Sequence, residues 1–138
     1  MIEATRIQPK EIPASHRDLL EEPIVAALAT TLPDGTPQVT PVWFNEEEGH
    51  ILFNSARGRL KDRAIRENPY VALTIIDPEN PYRYIAIRGP VVDITEEGAR
   101  DHIDFLANRY LGEDEYSGPK DQVRVKYEIV PEHVATMA

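Results

Sequence analysis

Apolar positions along the chain fall into short blocks, separated by proline, glycine and acidic residues. PASHRDLLEEP, at 13–23, predicts a short helix that Ser15 can cap, with Leu19 and Leu20 as its apolar side and Pro23 as its stop. The mostly apolar run from Ile24 to Leu32 predicts a buried strand, and PDGT, at 33–36, a tight turn in which Gly35 supplies a positive φ. PQVTPVWFN, at 37–45, returns as a strand with Gln38, Thr40 and Val42 on one face and Val39, Pro41 and Trp43 on the other. Pro41 cannot donate to a ladder, so this strand should lie at an edge or carry a bulge.

EEEGH, at 46–50, predicts a turn, and the run from Ile51 to Ser55 a third strand. Leu60, Ala64 and Ile65 then mark a short helix ended by Pro69. A fourth strand runs from Tyr70 to Asp77, and YRYIAIRGPVVDIT, at 82–95, is a long strand bent at Gly89–Pro90. The clearest helix is 96–112, with Thr95 at its cap, Ile103, Leu106 and Tyr110 on one side and Gly112 just past its end. The acidic segment GEDEY, at 112–116, reads as a solvated loop, and QVRVKYEIVP, at 122–131, as the last strand. Six strands joined mainly by hairpins, with helices set outside them, predict a small barrel of the mostly β, α+β class.

A chain of 138 residues fits one domain, 1–138, with a barrel core over about 10–132. The absence of cysteine removes disulfides, thiolate nucleophiles and zinc-thiolate sites. The four histidines have no metal-ligand spacing, and neither Ser15–His16 nor Ser55 has the context of a triad, so no metal site and no hydrolase is expected. No apolar run approaches the roughly 20 residues of a membrane span, and the first residues lack the apolar core of a signal peptide. The expectation is a cytoplasmic protein that does not bind membrane. A net charge of -9 also argues against nucleic acid.

Against that acidic background, FNSARGRLKDRAIRENP, at 53–69, concentrates Arg57, Arg59, Lys61, Arg63 and Arg66. Asn54, Ser55, Arg59 and Lys61 fall where a strand hands over to a helix, and there free N–H groups and the helix dipole can hold an anion. Cations at that position oppose the dipole, and a bound phosphate removes the conflict. Arg63 and Arg66 are assigned to a solvated face pairing with Asp62 and Glu67.

ALATTLPDGTPQVTPVWF, FNSARGRLKDRAIRENPYVALTIIDPENPYRYIAIRG and ITEEGARDHIDFLANRY resemble the flavin- and deazaflavin-binding split β-barrel superfamily related to pyridoxamine 5'-phosphate oxidase. Within it they are most similar to the branch that uses coenzyme F(420), an 8-hydroxy-5-deazaflavin. The resemblance implies a six-stranded antiparallel split barrel and a homodimer with cofactor sites at its interface. It implies that Gln38, Thr40, Pro41 and Val42 line the cofactor, that Asn54, Ser55, Arg59 and Lys61 hold its phosphate, and that Tyr82 and Tyr84 close the site, from the same chain or its partner. The chain lacks the oxidase's arginine-containing C-terminal segment, which argues against vitamin B6 as substrate. The implied activity is hydride transfer from reduced F(420) to an unsaturated organic small molecule, with no catalytic side chain singled out. The alternatives are an FMN-dependent oxidase or reductase and a non-catalytic flavin or deazaflavin carrier.

Overall fold

The computed structural model describes residues 8–138. A 3-10 turn, Ala14–His16, leads into α1 (Asp18–Glu21) and then β1 (Ala26–Thr31), β2 (Pro37–Val42), β3 (Phe44–Glu47) and β4 (His50–Ala56). Next come α2 (Leu60–Glu67), β5 (Tyr70–Ile76), β6 (Tyr84–Thr95), α3 (Ala99–Leu111), β7 (Arg124–Ile129) and β8 (His133–Met137). All strand pairings are antiparallel, in the order β2-β1-β5-β6-β7-β4-β3, with β8 added against β6.

The curl of this sheet is set by β6. Its first half, Tyr84 to Pro90, pairs with β5, whereas Val91 to Thr95 pairs with β7 across a register shift. Gly89 sits at the changeover, and a Cβ there would lie 1.9 Å from the Val130 carbonyl oxygen. The sequence bend expected at Gly89–Pro90 is thus a close backbone approach that only glycine permits. The two halves close over one core, in which Phe53 stacks on Tyr127 with centroids 4.6 Å apart, beside Leu28, Ile75 and Ile85.

Among the described residues, eight strands replace the expected six. The strand expected over 37–45 breaks at Trp43, so that β2 joins one half of the sheet and β3 the other. The break is stabilised from α3: the Tyr110 hydroxyl accepts the Phe44 N–H at 3.1 Å and donates to the Ile24 carbonyl at 2.8 Å, while Trp43 stacks on its ring at 5.4 Å. The second addition, β8, follows Pro131 and is tied down where His16 Nε2 donates to the Met137 carbonyl at 3.0 Å. Pro41 does lie on an edge strand, opposite Ala27.

Two expected caps are not made. Ser15 contacts His16 instead of capping a helix, and Thr95 remains in β6 while α3 begins at Ala99 behind Gly98, whose φ is 74°. The C-terminal end of α1 is held from a distance, because Arg109 of α3 donates to the carbonyls of Leu20, Glu21 and Glu22 at 2.8 to 3.0 Å. Among the described residues no helix is long and apolar enough to cross a membrane.

Candidate functional site

β4 and β7 run side by side into α2, and their ends bring cations from distant parts of the sequence together. Ala56 lies opposite Arg124, and Asn54 opposite Lys126. Arg59 precedes the first residue of α2 with an extended backbone (φ -63°, ψ 158°), and Lys61 occupies the first turn. Asp62, one residue on, is buried and accepts from the Gly58 N–H at 2.9 Å, the Tyr127 hydroxyl at 2.6 Å and Arg66 Nε at 3.0 Å. This carboxylate fixes the turn that presents Arg59 and Lys61. Gly58 meets that turn's geometry with a φ of 88°.

Arg59, Lys61 and Arg124 border an open cavity of about 390 Å³, with Asn54 and Tyr116 as its other polar-atom-bearing walls and Val25, Val42, Trp43, Ile103 and Leu106 as its apolar side. Burial, reinforced by the charges of Arg59 and Arg124, pulls the Lys61 ammonium below its ordinary pKa. Burial does the same to Arg124, with Arg59 and Arg100 adding to the effect and Tyr116 opposing it. Among the described residues, none of Arg59, Lys61 and Arg124 has a carboxylate within 4.0 Å. The Leu60 and Lys61 N–H groups also lack an acceptor there, as expected of a helix start. Three like charges and free amides converge with no carboxylate among the described residues to offset them, which is the electrostatic profile of an anion site.

Asn54 stands behind the cations. Its amide nitrogen donates to the Ala99 carbonyl at 2.9 Å and to His102 Nδ1 at 3.1 Å, and its oxygen accepts from Arg124 Nε at 2.9 Å. Both amide protons are therefore used within the protein. Ser55, next along β4, faces the opposite side, where its hydroxyl is buried without a partner among the described residues.

The remaining expected residues are spread over two regions. Pro41 and Val42 line the cavity with Asn54, Arg59 and Lys61, and Thr40 and Pro41 border a shallow groove of about 240 Å³ on the outer face of the sheet, beside Val39, Thr74 and Ile76. The Gln38 side-chain oxygen is buried without a partner among the described residues. Tyr82 is 79% exposed, and Tyr84 lies opposite Ile76 on β6; neither reaches the cation cluster of its own chain. Of the other three arginines in the 53–69 segment, Arg57 pairs with Glu96 and Arg66 with Asp62, whereas Arg63 is exposed.

Arg124 and Tyr116 were not expected at the site. Arg124 falls within the expected alternating strand at 122–131, but its neighbours follow only from the β4–β7 register. Tyr116 corrects the reading of 112–116 as a solvated loop: residues 113–115 are exposed, but the Tyr116 N–H donates to Asp104 at 2.9 Å and its ring covers the Arg124 guanidinium at 5.1 Å. Among the described residues no cluster of three metal-ligating side chains occurs.

Comparison with known proteins agrees with this architecture. The family model described as pyridoxamine 5'-phosphate oxidase matches residues 12–138. A solved structure described as an F(420) reductase is 38% identical, with a TM-score of 0.82 over 90% of this chain and 98% of its own. A conserved hypothetical protein from Mycobacterium tuberculosis is 21% identical (TM-score 0.71, 94% and 86% covered), and General Stress Protein 26 from Bacillus anthracis is 19% identical (TM-score 0.64, 88% and 89% covered). These last two show the fold alone. No curated protein matches the sequence. Matched over nearly all its described length by one family model, and curled as its structural relatives are, the chain belongs to the pyridoxamine 5'-phosphate oxidase-like split-barrel family.

Proposed function

We propose that the protein is an F(420)-dependent oxidoreductase that acts as a homodimer. The observation that carries this reading is the cluster of Arg59, Lys61 and Arg124 around one open cavity with no carboxylate partner among the described residues. A phosphate fits that donor set: two guanidinium groups, an ammonium and free amide N–H groups meet its oxygens, and no acidic side chain among the described residues opposes it. When bound, the reduced deazaflavin supplies the hydride that an unsaturated organic substrate accepts.

The chain's own residues bind, orient and shield. Arg59, Lys61 and Arg124 fix the phosphate end, while Pro41, Val42 and Trp43 offer an apolar wall along which a ring system is held and water excluded. The outer face of β2 and β5 carries Val39, Pro41 and Ile76 in exposed positions, with Val25 just before β1 beside them, and a second copy covers them. Tyr82 and Tyr84 then close the site of the partner rather than their own. The F(420) reductase among the structural relatives supports F(420) over FMN.

An assay with reduced F(420) and electrophilic alkenes as acceptors tests the activity. The expected result is acceptor-dependent oxidation of F(420) with no peroxide formed. Oxygen consumption by protein carrying FMN would replace this reading with a flavin oxidase, and tight F(420) binding without turnover of any acceptor would replace it with a carrier.

A further inference from the structure

Arg124 is held in an unusual way for a buried cation, because among the described residues its partners are neutral. Nε donates to Asn54 Oδ1 at 2.9 Å and Nη1 to Gln122 Oε1 at 3.0 Å, so the guanidinium is oriented without being neutralised. Its charge remains available to a ligand in the cavity. The orientation of Asn54 is in turn set by two acceptors on α3, the Ala99 carbonyl and His102 Nδ1.

His102 is buried and can accept at Nδ1 only as the tautomer that carries its proton on Nε2, and that tautomer is selected by Asn45, whose Oδ1 lies 2.7 Å from Nε2. Asn45 (β3), His102 (α3), Asn54 (β4) and Arg124 (β7) therefore form a buried hydrogen-bonded chain running from the interior to the cavity. An imidazole with no place in the anion cluster has one acceptor atom aimed at the residue that aligns the cluster's deepest cation.

We infer that His102 is a positioning residue, which through Asn54 holds Arg124 in the geometry that binds the anionic group of the ligand. The inference deepens the proposed function and rests on it only in identifying the ligand's anion as a phosphate. It has a consequence that a packing role lacks. Asparagine at 102 can place an oxygen where Nδ1 stands, whereas glutamine places its amide where Nε2 stands and leaves Asn54 without that acceptor.

Inorganic phosphate titrated into ligand-free wild type, His102→Asn and His102→Gln tests this, with thermal melts alongside. H102Q should weaken phosphate binding about tenfold and H102N by less than about threefold, although both lose the imidazole. Equal losses in the two variants, or wild-type binding by H102Q, would overturn the inference. A second measurement needs neither ligand nor variant: a nitrogen–nitrogen coupling across the hydrogen bond from Asn54 Nδ2 to His102 Nδ1 should be observed in the free wild-type protein, and its absence would overturn the relay. If wild type shows that coupling but binds no phosphate, the proposed cofactor site and the ligand-binding role given to His102 both fail, while the hydrogen-bonded chain stands.

Discussion

At the scale of single residues, charge at the site is arranged by what is paired and what is left unpaired. Arg57 and Arg66 have carboxylate partners, whereas Arg59, Lys61 and Arg124 have none among the described residues. Truncating Arg124 or Lys61 to alanine should therefore cost about 1 to 3 kcal/mol of cofactor binding through lost charge-assisted bonds. Arg63→Ala should change little, as direct titration will show. Asp62 yields a separate expectation. Burial, its largest influence, pushes the carboxyl pKa up, but hydrogen bonds from Tyr127, Gly58 and Arg66 outweigh it and hold the pKa below the ordinary value. The ionised form is thus favoured by folding. Its stabilisation is complete above the unfolded pKa of about 3.9 and is lost as pH falls through the lower folded value. Asp62→Asn should cost about 2 to 3 kcal/mol at neutral pH, and the variant should lose less stability than wild type between pH 5 and pH 2, both on the order expected for a buried bonded carboxylate. Urea melts across that range would contradict this if the two proteins lost stability in parallel.

At the scale of elements, signals confined to a few residues were legible and those made across the fold were not. Gly35 and Gly112 adopt positive φ where the turn and the helix end require it, Pro41 falls on an edge, and α2 stops before Pro69. All of these follow from one residue's covalent geometry. The break at Trp43 depends on Tyr110, whose hydroxyl arrives from a helix 66 residues away in sequence, and no local pattern announces it. The same holds for β8, which needs β6 and His16, and for Arg124 and Tyr116 in the site. The pairing of Arg59 with Lys61 was readable at the strand-to-helix handover because both cations and the turn lie within a few residues, but Asn54's real partners were hidden. The bend in β6 offers a test of this scale: Gly89→Ala would place a methyl 1.9 Å from the Val130 carbonyl oxygen. It should destabilise the protein by roughly 2 to 4 kcal/mol, because backbone and not a flexible side chain must move. An unchanged melting temperature would show that the two sheet halves are not locked there.

At the scale of the molecule, an acidic chain carries a small cationic cavity and, adjoining it through Val25 and Pro41, an exposed apolar sheet face. Val39, 64% exposed, stands on that face beside Val25 and Ile76, and a second copy is the proposed cover. Light scattering should give twice the chain mass, and Val39→Lys should shift the population to monomer and lose cofactor affinity with it; a monomeric wild type that still binds would separate the cofactor site from the dimer. The central claim is that the uncompensated cations receive the phosphate of F(420) and favour its anionic tail over the shorter FMN. Isothermal titration of ligand-free protein with F(420) and FMN, in low and high salt, tests it most directly. F(420) should bind more tightly, with an advantage that shrinks as salt rises, and both ligands should bind more weakly to Arg124→Ala. Tighter binding of FMN, or F(420) affinity unchanged in Arg124→Ala, would contradict it.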